Sequence, residues 1–508
     1  MSIPAVAAPD HYALPSKHVP QRRRTLRAIS AALTLIGSLV AVPPGAVGAL
    51  TVGTTESFTV GGVGHDGNTV SVSCVPAVGA APAGCVAVGT NEGTQRPLVI
   101  TSDGTTHVAS YADAFGGRHN LNDVFCSTSV RCIAVGWGEP SSTSGLPYLL
   151  ELENGTWSPV SLTPPDIKTS VGDARLLDIS CFDIDSCLAV GSYRRLSDDR
   201  FVPFVVTKVA GTWSTQQVVP PASTSSNGLW FTGDRLETLA CPSTTTCIAV
   251  GVAYSGSLRY PIISMGTLSS GTWTWTTAAA PLPDLTDGKS IVVNCTVDGY
   301  CLAAGSYTAS SAPTSRSFAL VYADGAWSGS PISFDDAGAA IGVADVSCPV
   351  AGICYLAGWT GSNAHAVVVE FVDGTPTVVN LDKGANGNYL TEIECPTMNS
   401  CAVAGVADDA AGGIAANMYL ATRENGTWTI SPSYVLVDAP NAFDSRPAAL
   451  SCRSDGFCMA GGQHRHTNVW WRASVTPFSF PIDPSTRSSG GGDGGGGGST
   501  VIPPAYTG

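Results

Sequence analysis

The chain has few charged residues, and no stretch of it shows a sustained helical pattern. Charged residues make up 13% of the 508 residues, and runs of Glu, Lys and Leu at helical spacing are missing. Helical repeats are excluded because nothing keeps a 3.6-residue period. After the N-terminal segment, no apolar run is long enough to span a membrane. The hydrophobic fraction of 44% and the 57 glycines are typical of a β-rich protein with many turns.

Basic residues are scarce. Residues 1–49 hold five basic residues and one acidic residue, which leaves 20 basic and 38 acidic residues, a charge of −18, in the remainder. Nucleic-acid binding depends on neutralising phosphates, so this balance argues against a nucleic-acid partner.

Residues that carry familiar chemistry are also rare. Only six His follow residue 49, none of them in a zinc-protease helix motif, and no Ser lies in a Gly-x-Ser-x-Gly elbow. The sequence therefore predicts no catalytic residue, no metal site and no cofactor.

The N-terminus has the features of an export signal behind a long leader. Arg22, Arg23, Arg24 and Arg27 precede the apolar stretch 28–42, and small residues allow cleavage after Ala49. We predict a signal peptide at residues 1–49 and a secreted, extracellular protein. The alternative is an uncleaved anchor, and the protein is expected at a membrane only in that case.

Sixteen cysteines form eight local pairs. Seven pairs enclose five residues, and the first encloses ten. The pairs recur with a period of about 50 residues, which is typical of a propeller or a solenoid. The pairs are Cys74 with Cys85, Cys126 with Cys132, Cys181 with Cys187, Cys241 with Cys247, Cys295 with Cys301, Cys348 with Cys354, Cys395 with Cys401, and Cys452 with Cys458.

A glycine turn follows most pairs at a regular distance, as in Asn154-Gly155-Thr156-Trp157. Asn-Gly and Asp-Gly between apolar runs strongly predict a hairpin. Each unit then has four short strands, and the Trp of the turn is expected to pack between units. We predict an all-β propeller of eight four-stranded blades over residues 50–483, which residues 51–61 help to close. Seven blades with a stray repeat, or a long β-solenoid, are the alternatives.

Residues 484–508 are predicted to be a linker and tail, because residues 490–498 are almost pure glycine.

For the cysteines, a structural zinc site would need four ligands, and the pairs lie on separate units without a matching His. Export to an oxidising compartment favours one local disulfide per blade, each across a short hairpin.

Two motifs resemble known repeats. The segment Cys241 to Gly251, with its copies, resembles the Cys-paired repeats of secreted bacterial β-propellers. The Gly-Thr-Trp turns are loosely similar to the Asp-box turn of sialidase-like (BNR) repeats, although the spacer before Thr is missing. The resemblance covers about residues 50 to 483 and implies the fold only, since propellers host many functions.

The first and third connections of a four-stranded blade share one face, so the other face receives the remaining loops, which we expect to hold about ten residues each. Near the centre of this second face we expect the residue that lies six places before the first Cys of each pair. Five of these positions are predicted to bind an anionic group of an extracellular protein or glycan: Arg175, Arg235, Lys289, Tyr389 and Arg446. The alternative is that the basic members pair with Asp173, Asp234, Asp287 and Asp444.

The sequence thus favours a non-enzymatic binding or scaffold propeller. The second interpretation is an extracellular carbohydrate-active hydrolase or lyase of sialidase-like type. Carboxylates converging in the central channel would favour the second, and a broad loop-built face without them would favour the first.

Overall fold

The computed structural model describes most of the predicted propeller. Residues 51–482 are described except for 53–55, 59–66, 79–80, 92–94, 113–117, 142–143, 169–173, 220–224, 227–233, 257, 311, 329, 337–338, 361–364, 382–387, 409–415, 431–443 and 466–470. The predicted signal segment, residues 1–49, and the tail, residues 484–508, lie outside the described residues. Among the described residues, no helix has the length and apolar character needed to cross a bilayer.

The regular elements are strands, most of them apolar and β-branched, bounded by Gly, Asn and Asp turns. Those of the first half are β1 (Thr51–Val52), β2 (Glu56–Phe58), β3 (Gly67–Val75), β4 (Gly84–Asn91), β5 (Arg96–Ser102), β6 (His107–Tyr111), β7 (Arg118–Thr128), β8 (Arg131–Ser141), β9 (Ser144–Glu153), β10 (Thr156–Pro159), β11 (Ala174–Asp183), β12 (Ser186–Arg194), β13 (Phe201–Val209), β14 (Thr212–Gln217), β15 (Ser225–Ser226), β16 (Arg235–Ser243), β17 (Thr246–Gly256), β18 (Leu258–Ser269) and β19 (Thr272–Ala279).

The second half continues the same order. Its strands are β20 (Leu285–Cys295), β21 (Cys301–Ala309), β22 (Ala312–Ala323), β23 (Ala326–Trp327), β24 (Ile341–Val350), β25 (Ile353–Thr360), β26 (His365–Val372), β27 (Thr375–Asn380), β28 (Tyr389–Thr397), β29 (Ser400–Asp408), β30 (Ala416–Glu424), β31 (Thr427–Ile430), β32 (Asp444–Cys452), β33 (Phe457–Arg465) and β34 (Trp471–Ser479).

These strands form eight antiparallel blades, which confirms the predicted fold. Blades 1 to 7 are β3–β6, β7–β10, β11–β14, β16–β19, β20–β23, β24–β27 and β28–β31. Blade 8 contains β32, β33 and β34, and its outer strand comes from the N-terminal segment, because β1 and β2 both pair with β34. Ser57 lies opposite Ser474 and Phe58 opposite Ala473, as the closing-strand prediction requires.

The core lies between the blades. Eight buried apolar clusters occur in the described residues, each shared by two successive blades. One of them joins Met459 and Val475 of blade 8 to Val72 and Ile100 of blade 1, which closes the ring.

The cysteines confirm the predicted pairing. All sixteen form local disulfides, one per blade, with Cα atoms 4.0–4.1 Å apart. The bonds join Cys74 to Cys85, Cys126 to Cys132, Cys181 to Cys187, Cys241 to Cys247, Cys295 to Cys301, Cys348 to Cys354, Cys395 to Cys401, and Cys452 to Cys458.

The first strand of each blade packs against the first strands of its neighbours and is therefore innermost. The disulfide hairpins and the glycine turns lie on one face. The loop lengths on the other face differ from the prediction. The connections between second and third strands are short, because those strands are longer than expected, as β17 and β18 are in blade 4. Most connections between blades are longer, such as residues 160–173 between β10 and β11.

Candidate functional site

The mouth of the central channel is set by a bulge in the innermost strands. In blade 3 the bulge lies between Leu176 and Asp178. It turns the carbonyl of Arg175 toward Gly191 on β12, where a Cβ would lie 2.0 Å from that oxygen. In six other blades a carbonyl of the innermost strand approaches the second strand in the same way, and a glycine faces it: Gly89, Gly136, Gly251, Gly305, Gly358 and Gly405.

Four of the five predicted ligand-binding residues lie at the starts of innermost strands, as expected. Their partners on the second strands are known from the register: Arg175 lies opposite Ser192, Arg235 opposite Val252, Tyr389 opposite Val406 and Arg446 opposite Gln463. Six residues of strand, roughly 20 Å, separate them from the disulfides, so they lie at the other face of the ring. The side chain of Arg446 is outside the described part of the structure.

Lys289 is displaced from this ring by one residue. The bulge of blade 5 lies between Gly288 and Ser290, and the carbonyl that faces Gly305 belongs to Ser290. Lys289 is exposed, and its ammonium donates to the Ser315 hydroxyl. Spacing from the cysteine therefore predicts the wrong residue in this blade, because the bulge has moved toward the start of the strand.

Arg175 and Arg235 hold the same position in the adjacent blades 3 and 4, where their carbonyls face Gly191 and Gly251. Both are half-buried. The pKa of Arg175 is lowered, first by burial and second by the charge of Arg235. Arg235 also donates to Glu237, with Nε and Nη2 at 2.7 and 2.5 Å from its Oε1. The mouth therefore holds two guanidinium groups on this side of the channel, with Glu237 paired to that of Arg235.

The described aspartates of the alternative pairing, Asp287 and Asp234, accept hydrogen bonds from other groups. Asp287 accepts two bonds from Arg259 rather than from Lys289, at 3.0 and 2.8 Å. Asp234 accepts from the backbone N–H of Tyr254 at 2.8 Å. Asp173 and the side chain of Asp444 lie outside the described residues.

Deeper in the channel, the residue three places before each first Cys forms a belt, and four of its eight members are acidic. The belt consists of Ser71, Asp123, Asp178, Thr238, Val292, Asp345, Glu392 and Ala449.

Three of the belt carboxylates bridge to the next blade. Asp123 accepts from the backbone N–H of Ile179 at 2.7 Å. Asp178 accepts from Leu239 at 2.5 Å, and Asp345 from Ile393 at 2.9 Å.

A second set of bridges comes from the residue directly before the first Cys. The hydroxyl of Ser73 accepts from the N–H of Cys126, and that of Ser347 from the N–H of Cys395, both at 3.0 Å. Ser451 and Asn294 do the same for Cys74 and Cys348. The inner edge of an innermost strand has no further strand to pair with. These side chains satisfy its N–H groups instead.

Burial raises the pKa values of the belt carboxyl groups above their usual range. Asp123 reaches the backbone N–H of Ile179, the residue after Asp178, which brings the two carboxyl groups close together. Burial raises both pKa values, and the charge of Asp123 raises that of Asp178 further. Burial raises the pKa of Asp345 to about 7.

Blade 7 contributes the belt residue Glu392 and, two residues later, the buried Glu394. Burial raises both pKa values well above the usual range, and Asp345 raises each further. The charge of Asp123, three blades away around the ring, also raises the pKa of Glu392, by less than burial, Asp345 and Glu394 do. In the described residues, no group of three or more His, Cys, Asp or Glu is arranged to hold a metal ion.

Sequence reasoning missed the belt, although a signal was present. Polar residues recur three and one places before the first Cys, as in Asp345-Val-Ser347-Cys348. The apolar residue between them packs into the clusters between blades, as Val346 does. Alternation on a strand is usually taken as a solvent-facing pattern. Here the polar side faces the next blade and the channel.

The comparisons with known proteins show only a loose similarity. No protein-family model matches the sequence, and no curated protein matches it. Similar solved structures include the β-propeller domain of the Trilobed protease from Pyrococcus furiosus, at 8% identity and a TM-score of 0.38 over 72% of this chain and 97% of that one. An α-L-arabinanase of Penicillium chrysogenum complexed with arabinobiose has 13% identity and a TM-score of 0.35, over 62% and 95%. A subtype N11 neuraminidase-like protein of A/flat-faced bat/Peru (H18N11) has 13% identity and a TM-score of 0.32, over 63% and 90%.

Proposed function

We propose that this protein is an extracellular binding module that holds an anionic group of its partner at the mouth of the channel, on the face opposite the disulfides. The observation that carries the proposal is that Arg175 and Arg235 hold the same position on the adjacent innermost strands β11 and β16. An anion placed between the two half-buried guanidinium groups would accept charge-assisted hydrogen bonds from both, in addition to the pair that Arg235 makes with Glu237. The rigid ring holds both residues at strand starts, where recognition residues are well positioned.

The test is a binding array of acidic and neutral glycans and cell-wall fragments, probed with the purified protein and with a double variant that combines Arg175→Gln and Arg235→Gln. The wild type is expected to bind acidic members, more weakly as salt increases. The double variant should lose at least roughly tenfold in affinity, about 1.4 kcal/mol, at unchanged thermal stability. Lys289→Gln is the matched control, because that cation lies outside the ring. Equal losses in the control, or none in the double variant, would reject the proposal.

A second candidate, a carbohydrate-active hydrolase, is favoured by the belt, because carboxyls with raised pKa values are what general acids need. The belt geometry supports binding instead. Asp123, Asp178 and Asp345 already accept hydrogen bonds from backbone N–H groups of the next blade, so they serve the packing of the ring. Incubating the array glycans with wild type and Asp345→Asn distinguishes the two. Hydrolysis lost in the variant would establish the enzyme.

A further inference from the structure

An exposed indole lies beside the same mouth. Trp359, on the second strand of blade 6, keeps 38% of its surface exposed, although large aromatic side chains in this fold are mostly buried. It lies opposite Gly342 on the innermost strand. A Cβ at Gly342 would lie 2.6 Å from the indole Cε2, so the missing side chain lets the ring lie against the inner strand.

The same position in blade 2 shows what Gly342 changes. Trp137 stands at that register, opposite Asn120, and is half-buried. In blade 6 the indole is more exposed and is fixed from the side by Tyr389 of blade 7. The two ring centroids are 6.2 Å apart and the planes meet at 72°. Such edge-to-face contact holds both rings in place, and the indole still keeps 38% of its surface exposed.

This corner and the arginine pair belong to one mouth. Tyr389 starts the innermost strand of blade 7, as Arg175 and Arg235 lie at the starts of those of blades 3 and 4. An aromatic face suits the apolar face of a sugar ring, whereas the guanidinium pair suits a carboxylate or sulfate. A ligand that uses both must carry flat apolar ring faces and repeated negative charge, and be long enough to cross the mouth.

We propose that the mouth binds an acidic polysaccharide, one sugar ring stacking on Trp359 while an acidic group of another residue lies between Arg175 and Arg235. This inference rests on the proposed function and names the ligand class of that site. Uronate and sulfate groups share the chemistry that the arginines recognise.

The experiment measures affinity by titration calorimetry for three probes: alginate oligosaccharides, dextran sulfate and neutral cello-oligosaccharides. The proteins are wild type, Trp359→Ala, Trp359→Phe and the arginine double variant. Met398→Ala is the control, because Met398 is a similarly exposed apolar side chain (37%) in a disulfide hairpin on the opposite face. Thermal melting of each variant checks folding.

We expect Trp359→Ala to weaken acidic and neutral probes tenfold or more, Trp359→Phe to restore most of the affinity, and Met398→Ala to change nothing. The arginine variant should weaken only the acidic probes, and the preferred acidic probe identifies uronate or sulfate. Unchanged binding in Trp359→Ala with loss in the arginine variant would overturn the polysaccharide site and leave the proposed function standing. Unchanged binding in the arginine variant would overturn both, and failure of the wild type to bind any probe would overturn the polysaccharide site.

Discussion

At the scale of single residues, glycines shape the backbone on both faces of the ring. Gly155 and its counterparts in blades 3 to 7 occupy turns in which both central residues have positive φ, 49° at Asn154 and 82° at Gly155. Gly191 has a different reason. It faces a carbonyl that the bulge has turned toward it, so any side chain would meet backbone rather than a movable group.

We expect Gly191→Ala to lower the free energy of unfolding by about 1–3 kcal/mol, the usual cost of forcing atoms into a packed site. The displaced carbonyl belongs to Arg175, so ligand affinity should fall as well. Chemical denaturation measures the first effect. Gly67→Ala is the control, because its Cβ would approach Ala473 N at an ordinary 3.4 Å. Equal stability of Gly191→Ala and wild type would show that the bulge yields easily.

At the scale of elements, polar side chains join blades in two places. On the inner strands they hold the N–H groups of the next blade. Between outer strands, the tryptophans of the glycine turns contact the preceding blade, as the sequence predicts. Trp213 Nε1 donates to Glu151 at 2.8 Å, and Trp428 Nε1 to Glu370 at 2.9 Å. A cation completes each group, Lys208 in blade 3 and Arg423 in blade 7, so the same arrangement recurs four blades apart.

Removing one inner-strand bridge should cost stability, because it leaves a buried N–H without a partner. We expect Ser347→Ala to lower the free energy of unfolding by about 1–3 kcal/mol. Ser180 stands at the same place in blade 3. It is half-buried, and its hydroxyl makes no hydrogen bond to any described residue. Ser180→Ala should therefore change stability little. Similar effects in the two variants, measured by urea unfolding, would contradict a role for the bridge.

At the scale of the whole molecule, the ring is held closed by strands from both ends of the chain. Thr69 of blade 1 donates to backbone carbonyls of blade 8, Gly462 at 2.8 Å and Ser474 at 3.0 Å. The N-terminal strands β1 and β2 cover β34. Without them β34 would be an open edge, and open edges promote association.

Deleting residues 51–58 from the propeller should therefore lower the melting temperature and produce oligomers. Size-exclusion chromatography with light scattering measures the second effect. A matched control removes residues 484–508, which lie beyond the last strand. A monomeric deletion variant with the wild-type melting temperature would show that β1 and β2 are dispensable for closure.

The carboxyl belt should make the whole ring more stable in acid. A carboxyl whose pKa is raised by folding binds its proton more tightly in the folded chain than in the unfolded chain. Its stabilising effect is complete below the ordinary pKa of about 4 and is lost as the pH rises through the folded value, about 7 for Asp345. We expect the melting temperature to fall between pH 5 and pH 8.

Asp345→Asn should reduce this pH dependence, because the amide cannot lose a proton. Asp103→Asn is the control: Asp103 is exposed, and backbone N–H groups of Thr106 and Thr105 lower its pKa, so it stays ionised over the whole range. A melting temperature that rises from pH 5 to pH 8, or an equal slope in Asp345→Asn, would contradict the assignment.

The sequence by itself determined the features that repeat within a single blade. The cysteine spacing predicted the disulfides and the blade number, and the Asn-Gly and Asp-Gly turns predicted the hairpins, because both depend on local chain geometry. It also located Arg175, Arg235 and Tyr389 at strand starts. Only the tertiary structure decided what lies together around the axis. Lys289 left the ring because one bulge shifted, a change that leaves the spacing intact. Asp123 and Glu392, far apart in the chain, belong to one belt only because the ring closes, and the indole of Trp359 lies against a glycine of another strand.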